Sequence, residues 1–538
     1  MSLDNLIVLI PAIKKKVAFQ DDLIKKLGGV LLIQRTINKA IELGVGKQKI
    51  HILTDSEEIR VIAERNNVRF YCDPKLKKIE INSRGNLDKY MRQAVVKNEN
   101  ILMLSPYSPL ITVSTINQAI QVFIKSKYDA LKPVIRHKKK LYDEGRNPGL
   151  QVLFGENKET HLIESMSFIL FRSELLSNYS INTTSILPWE IKHGLIDIES
   201  YQDWWICEKL LKRRRIVFRL IGNGEVGMGH IYRALSLAHE ITDHEIIFVS
   251  EKKDTIVENK LAGYDYLLKM YNPKDIVDGI IDLNPNLVIN DILSTTVEDV
   301  LPLQQKDIKF VNFEDLGYGA KMADLTINEL YDSPQYNSKN TLWGHDYFFL
   351  RDEFFDAKPH CFRKKVDNIL LAFGGTDQFN LSSKIYYAIR KLCLERDIKI
   401  HIVTGAGYTG YDKLQLEINN EPMVTLTKET GVISSLMEKT QLAITANGRT
   451  VYELAHMNIP AIVISQHQRE ETHGFASEEN GFVTLGLFQN KKTELDVLKQ
   501  LINLLDNEEY RRNLFNRVLK FKFNANKNKI INKIISFL

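Results

Sequence analysis

The chain has 538 residues, too many for a single hydrophobic core, and at about 100–200 residues per domain the length predicts three units. Hydrophobic residues make up 44% and charged residues 26%, the balance of an ordinary globular protein. The 72 basic and 67 acidic side chains leave a net charge of +5, too small and too dispersed for a dedicated nucleic-acid binder.

The opening run, Leu6-Ile-Val-Leu-Ile-Pro-Ala12, lacks a basic stretch before it and ends quickly at Pro11. It reads as a buried strand, not a signal peptide. No stretch reaches the roughly 18–20 apolar residues of a membrane span. Cys72, Cys207, Cys361 and Cys393 are widely separated, which predicts neither a disulfide framework nor a zinc site and suits a reducing cytoplasm.

Short β-branched runs then alternate with amphipathic segments, the pattern of parallel sheets covered by helices. Strands are predicted at Leu6–Ile10, Ile50–Leu53, Ile101–Leu104 and Ser167–Phe171, and helices at Leu31–Leu43, Ser56–Asn66, Ser114–Ser126 and Gln202–Leu211. A new strand follows Lys212-Arg-Arg-Arg215, and the same grammar restarts near Val366. The predicted domains are therefore 1–212, 213–362 and 363–538. The lysine-rich end, Lys520 to Lys533, reads as a solvated terminal helix.

Three groups of residues carry chemistry in the first domain. Leu9-Ile-Pro-Ala-Ile-Lys-Lys-Lys16 and Lys25-Lys-Leu-Gly-Gly29 place lysines after a strand end. Leu104-Ser-Pro-Tyr-Ser-Pro-Leu110 follows a later strand. Asp197-Ile-Glu199 sets two carboxylates at i and i+2, on one face if the segment is extended, which would suit a divalent cation. Together these resemble the acylneuraminate cytidylyltransferases. The resemblance implies that Pro11, Ala12, Lys14, Lys16, Lys25 and Ser108 contact CTP and that Asp197 and Glu199 bind Mg²⁺. It also implies a nonulosonic acid as co-substrate and a homodimer formed through this domain. The chain departs from the family at Ile13, Ser105 and Ile111, where arginine or glutamine is usual.

The sharpest motif runs from Gly222 to Ala238, where a glycine-rich turn containing Gly227 and Gly229 leads into a helix carrying His230 and Arg233. Glycines let the backbone approach a ligand, and a helix N-terminus offers N–H groups to an anion. With Phe313-Glu-Asp-Leu-Gly317, Leu350-Arg-Asp-Glu-Phe354, Phe373-Gly-Gly-Thr376 and Asn447-Gly-Arg-Thr-Val-Tyr-Glu-Leu454, residues 214 to about 490 resemble the UDP-sugar hydrolase of pseudaminic acid biosynthesis. They also resemble related spore-coat polysaccharide proteins. The implied fold class is α/β: a nucleotidyltransferase Rossmann-like domain followed by a two-Rossmann module of glycosyltransferase-B type.

That resemblance makes His230 the general base and requires no cofactor. It implies that Gly227, Gly229, Arg233, Asp291, Gly374, Gly375, Thr376, Gly448, Arg449 and Thr450 line a UDP-sugar site, with Glu453 on the ribose and His467 and Gln468 toward the sugar. Leu293 stands where the hydrolase has tyrosine. The expected whole is a bifunctional enzyme of pseudaminic or legionaminic type. The alternative is a glycosyltransferase whose first domain is a scaffold.

Overall fold

The computed structural model describes residues 5–14, 21–76, 99–137, 142–143, 151–152, 161–175, 185–191, 195–222 and 228–538. The chain divides into two compact units, Met1–Arg213 and Arg214–Leu538. The second and third predicted domains therefore belong to one unit.

The main sheet of the first unit contains β1 (Leu6–Ala12), β2 (Ile50–Thr54), β3 (Arg69–Cys72), β4 (Asn100–Leu104), β5 (Ala130–His137), β6 (His161–Glu164), β7 (Phe168–Arg172) and β8 (Ile186–Glu190). Its order is β6-β5-β7-β4-β1-β2-β3, with β8 against β5. The strands β4, β1, β2 and β3 run parallel, and β7 is antiparallel to β4. Central β1 is almost wholly apolar because both of its faces are covered. Val8 and Ile10 join Ile33 and Ile37 of helix α1 (Leu32–Glu42), while Ile7 and Leu9 join Leu53 and Ile101 on the opposite face. Helices α2 (Glu57–Arg65), α3 (Val113–Lys125) and α4 (Tyr201–Leu211) complete the cover. Thr112 and Ser200 cap α3 and α4 by accepting from Thr115 N and Asp203 N.

The second unit has two lobes. The first orders β9 (Arg215–Leu220), β10 (Glu245–Glu251), β11 (Leu267–Tyr271), β12 (Leu287–Asp291), β13 (Lys309–Phe313), β14 (Leu325–Asn328) and β15 (Thr341–Trp343) as β11-β10-β9-β12-β13-β14-β15. The second orders β16 (Asn368–Ala372), β17 (Lys399–Thr404), β18 (Val424–Lys428), β19 (Leu442–Ala446), β20 (Ala461–Ser465) and β21 (Phe482–Leu487) as β18-β17-β16-β19-β20-β21. Every pairing in both sheets is parallel. Both are doubly wound, with strand order reversing beside the first strand, where ligands bind in such sheets. This is the α/β, two-Rossmann architecture that the sequence predicts.

The lysine-rich end departs from the expectation of a solvated helix. Phe521 and Phe523 are buried in the second lobe's core, while Ile530, Ile531 and Ile534 of the terminal helix Asn526–Ile535 are buried among first-lobe residues such as Leu237 and Phe349. Apolar residues at a spacing of three to four give this helix one packed face, and its lysines cover the other. The terminal segment therefore crosses back to the first lobe. No helix among the described residues is long and apolar enough to cross a membrane.

Candidate active site

In the second unit, β9 leads through residues 221–228 to helix α5 (Gly229–Glu240). A Cβ on Gly222 would stand 2.7 Å from Ile231 and Val257 side-chain atoms, so glycine lets the backbone at 222 pack against both. Gly227 lies outside the described residues. His230, in the first turn of α5, is 6% exposed. Its Nδ1 lies 2.5 Å from Asp291 Oδ1 at the C-terminal end of β12. A carboxylate accepts only, so this contact assigns the neutral imidazole's proton to Nδ1 and leaves Nε2 as the basic nitrogen.

Arg233 lies one turn further along α5 and is 1% exposed. Its Nε donates to Asp291 Oδ2 at 2.7 Å, and Nη2 donates to Oδ1 at 2.5 Å. Nη1 reaches Glu314 Oε1 at 2.5 Å and Glu329 Oε1 at 2.9 Å. Glu329 also accepts from Arg449, which donates to Phe349 O at 2.9 Å. Burial would raise the Asp291 and Glu314 carboxyls, but the charges of Arg233 and its neighbours, together with the hydrogen bonds they donate, outweigh it and hold both below their ordinary values. Burial and the neighbouring Arg233 charge lower Arg449 to about 10. Arg233 and Asp291, both expected at the nucleotide sugar, are thus paired with each other, and neither lines the inter-lobe cavity.

A cavity of about 300 Å³ lies between the two lobes; of this network Arg449 is in its wall, whereas His230 is not and meets it through its neighbour Gly229. Met228, Gly229 and Tyr232 line it from the first lobe, facing Gly374, Gly375, Thr376, Gly448, Arg449, Thr450, Glu453 and His467 from the second. Gly374 has φ +80°, which glycine adopts without strain. A Cβ on Gly405 would stand 2.3 Å from Gly375 O, so the two loops meet backbone to backbone. The helix Arg449–His456 begins at Gly448 without a side-chain cap, which leaves N–H groups at the cavity wall for an anion. Asp377 has a structural task, accepting from Leu381 N at 2.7 Å and Ser382 N at 2.8 Å to start the next helix. The Glu-Asp-Leu-Gly motif has one too, since Asp315 accepts from Thr295, Asn312 and Gly317 within a buried turn.

Glu453 is at the cavity but is not alone there, because its Oε1 accepts from Arg351 Nε at 2.8 Å. Sequence reasoning missed Arg351, Tyr232, Gln466 and Glu470, all of which line the cavity. Gln466 Nε2 donates to Phe373 O at 3.0 Å, and Glu470 Oε2 accepts from Gln466 N at 2.6 Å. Burial pushes the Glu470 carboxyl up to about 7. His467 is exposed at the rim, and its ring is 5.7 Å from Phe379. Gln468 is exposed and is not part of the cavity wall. His456 is buried in its helix, and burial lowers its pKa to about 4. His473 Nδ1 is 2.7 Å from Asn447 O.

In the first unit Pro11 and Ala12 close β1, and many of the groups expected at the nucleotide are engaged. Ala12 O accepts from Thr54 Oγ1 at 2.8 Å, and Pro11 beside it is half-buried. The Lys14 ammonium lies 3.0 Å from Asp21 and bonds to Glu58. Lys25 Nζ is 3.3 Å from Tyr201 OH. Lys16 lies outside the described residues. Ile13 and Ile111 are buried, so two positions where the family has polar side chains belong to the hydrophobic interior. Ser105 Oγ accepts from Tyr107 N at 3.2 Å.

Asp197 and Glu199 lie outside any paired strand. Residues 195–199 form no strand, and Asp197 turns inward while Glu199 is exposed. Asp197 accepts from Ser108 Oγ on one oxygen, and from Ser165 Oγ at 3.1 Å and Met166 N at 2.9 Å on the other. Among the described residues no group of three or more His, Cys, Asp or Glu side chains is arranged for a metal. A carboxylate fixed by such donors still suits Mg²⁺, which takes one or two carboxylates together with substrate phosphates.

Residues 369–531 match the model of the Glycosyltransferase family 28 C-terminal domain. An uncharacterized protein of Methanocaldococcus jannaschii is 29% identical over 266 residues, 46% of this chain and 54% of that protein. The match thus spans about half of that relative. The spore coat polysaccharide biosynthesis protein SpsG of Bacillus subtilis is 27% identical over 287 residues, 49% of this chain and 82% of its own. The UDP-2,4-diacetamido-2,4,6-trideoxy-beta-L-altropyranose hydrolase of Campylobacter jejuni is 24% identical over 266 residues, 47% of this chain and 93% of its own. Among solved structures, MurG of Acinetobacter baumannii aligns over 60% of this chain and 99% of its own, with 14% identity and a TM-score of 0.44. A CMP:2-keto-3-deoxy-manno-octonic acid synthetase complexed with CTP aligns over 39% and 98%, with 11% identity and a TM-score of 0.32.

Proposed function

We propose that the second unit hydrolyses a UDP-linked 2,4-diacetamido-2,4,6-trideoxyhexose, and that the first unit uses CTP to activate a nonulosonic acid of pseudaminic or legionaminic type. The observation that carries the hydrolase reading is the His230–Asp291 contact, set on a helix whose first residue, Gly229, lines the inter-lobe cavity.

That placement supports the following reaction. Water attacks the anomeric carbon while His230 Nε2 takes its proton, the C–O bond to the β-phosphate breaks, and UDP departs with the electron pair. Asp291 stabilises the imidazolium that forms, while Arg233 keeps Asp291 ionised and in place. The helix N-terminus at Gly448–Thr450 stabilises the charge that gathers on the leaving diphosphate. UDP is a good leaving group, so a strong general acid is not required.

In the first unit, Asp197 and Glu199 would hold the Mg²⁺, which when bound supplies charge neutralisation for the triphosphate. Ser108 and Ser165 orient the Asp197 carboxylate. The four free cysteines, Cys72, Cys207, Cys361 and Cys393, suit a cytoplasmic setting. Two steps of one sugar pathway would then share a chain.

One observation favours a second reading. The match to a glycosyltransferase family over residues 369–531 fits transfer to a sugar hydroxyl, with His230 activating that hydroxyl instead of water. Incubation with UDP-2,4-diacetamido-2,4,6-trideoxyhexoses distinguishes the two. Free sugar and UDP released at a rate independent of any acceptor support hydrolysis, whereas turnover only when an acceptor sugar is added overturns it.

A further inference from the structure

Arg351 lies in the segment joining the two lobes, at a place where four groups converge. Its Nε donates to Glu453 Oε1 at 2.8 Å, and its Nη1 is 3.0 Å from Glu353 Oε1. Its guanidinium lies 5.3 Å from the centre of the Tyr232 ring and 5.6 Å from that of Phe354. Tyr232 sits two residues after His230 on α5. A second cation, Lys260, covers the same ring at 5.0 Å and lies 3.5 Å from Glu429 of the second lobe. Tyr232, Arg351, Glu429 and Glu453 all line the cavity.

We propose that Arg351 is a positioning residue for nucleotide recognition, holding the Glu453 carboxylate for a ribose diol while tying that contact to the helix that carries His230. This rests on the UDP reading of the cavity and goes beyond it in naming what sets the nucleotide's preference. Glu453 is 3% exposed. A carboxyl so buried is costly to leave unpaired, and Arg351 supplies its partner. With Oε1 held by Arg351, Oε2 is the oxygen that a cavity hydroxyl can donate to, and the fixed plane selects where that hydroxyl must stand. The planar guanidinium can bond the carboxylate and lie over the Tyr232 ring at once, a combination that a lysine ammonium does not reproduce.

The test is calorimetric binding of UDP and 2′-deoxy-UDP to the full-length protein. The wild type should prefer UDP by about tenfold or more, the value of one hydrogen bond to a charged group. Arg351→Met should bring the two affinities to within about threefold of each other, and Arg351→Lys should give an intermediate preference. Tyr232→Leu, which leaves the Arg351–Glu453 bond in place, should keep the preference for UDP but slow UDP-sugar turnover. Folding is checked by circular dichroism and melting, and if Arg351→Met does not fold, the Lys variant decides. A wild type that binds neither nucleotide overturns the UDP reading of the cavity itself. A wild type that binds UDP and 2′-deoxy-UDP equally, or a folded Arg351 variant that keeps the full preference, overturns the role of Arg351.

Discussion

The Asp291 carboxylate is shared between His230 and Arg233, with Oδ1 2.5 Å from the imidazole Nδ1 and both oxygens bonded to the guanidinium. One acid therefore orients the proposed base and is itself kept ionised by a buried cation. Arg233 in turn bonds Glu314 and Glu329, and Glu329 bonds Arg449 at the cavity wall. The helix bearing the base and the helix aimed at the expected diphosphate are thus tied to the same buried charges.

Replacing His230 with Asn should lower UDP-sugar turnover by about 10²–10⁴-fold, the usual contribution of a positioned base. UDP affinity should barely change, because the proposed base acts on water and not on the nucleotide. Steady-state turnover and calorimetric UDP binding measured on one preparation check both halves. Wild-type turnover in the variant would remove His230 from the chemistry.

Arg233→Met should destabilise the second unit by about 3–5 kcal/mol, since it leaves buried carboxylates without their cation. The sign of the pH dependence follows from the carboxylates. Asp291 and Glu314 are held below their ordinary values, so the stability they contribute is present above the unfolded values near 4 and is lost as pH falls through the folded ones. The variant's melting temperature should therefore lie furthest below wild type at neutral pH, with the gap narrowing in acid. A constant gap from pH 3 to 7 would contradict the charge argument.

The Glu470 carboxyl, raised by burial to about 7 and placed in the cavity wall, should make UDP-sugar binding weaken as pH rises. Its charge would oppose the diphosphate, and a UDP-sugar has no group of its own titrating between about pH 6 and 8. Because the folded pKa exceeds the ordinary 4.5, the group's contribution to stability is present below that value and lost as pH rises through 7. Affinity measured across this range should fall in the wild type and stay flat in Glu470→Gln. Equal slopes in both would exclude Glu470 as the cause.

The sequence made the local features legible and left the long-range ones hidden. Strand, glycine turn and helix follow one another within 26 residues at Arg215–Glu240, so periodicity and the motif located His230 correctly on α5. The partners of Arg233 lie 58, 81 and 96 residues away, and Arg351 meets Glu453 across 102. No spacing rule brings such pairs together, so Arg233 read as part of the UDP-sugar site, and Arg351 was only part of a motif. The i, i+2 argument for Asp197 and Glu199 assumed an extended strand. The segment pairs with no strand, and Asp197 is held by Ser108, Ser165 and the Met166 N–H, partners 89, 32 and 31 residues away in sequence.

The first unit offers the most direct test of the bifunctional reading. If Asp197 and Glu199 hold a divalent cation, the full-length protein should release pyrophosphate from CTP only when a nonulosonic acid and Mg²⁺ are both present. Asp197→Asn should cut that activity by about tenfold or more, because the cation site has few protein ligands. UDP-sugar hydrolysis should continue unchanged, since its proposed base is His230 and its mechanism uses no metal. The substitution also weakens the hydrogen bonds from Ser108 and Ser165, so unchanged melting must accompany the loss. Lys14 already bonded to two carboxylates, and buried Ile13 and Ile111, weigh against catalysis. The fixed Asp197 carboxylate and the β1 strand end weigh for it. No CMP-sugar from pseudaminic, legionaminic or acetylneuraminic acid, together with no CTP binding by calorimetry, would sink the transferase reading and leave the first unit a scaffold.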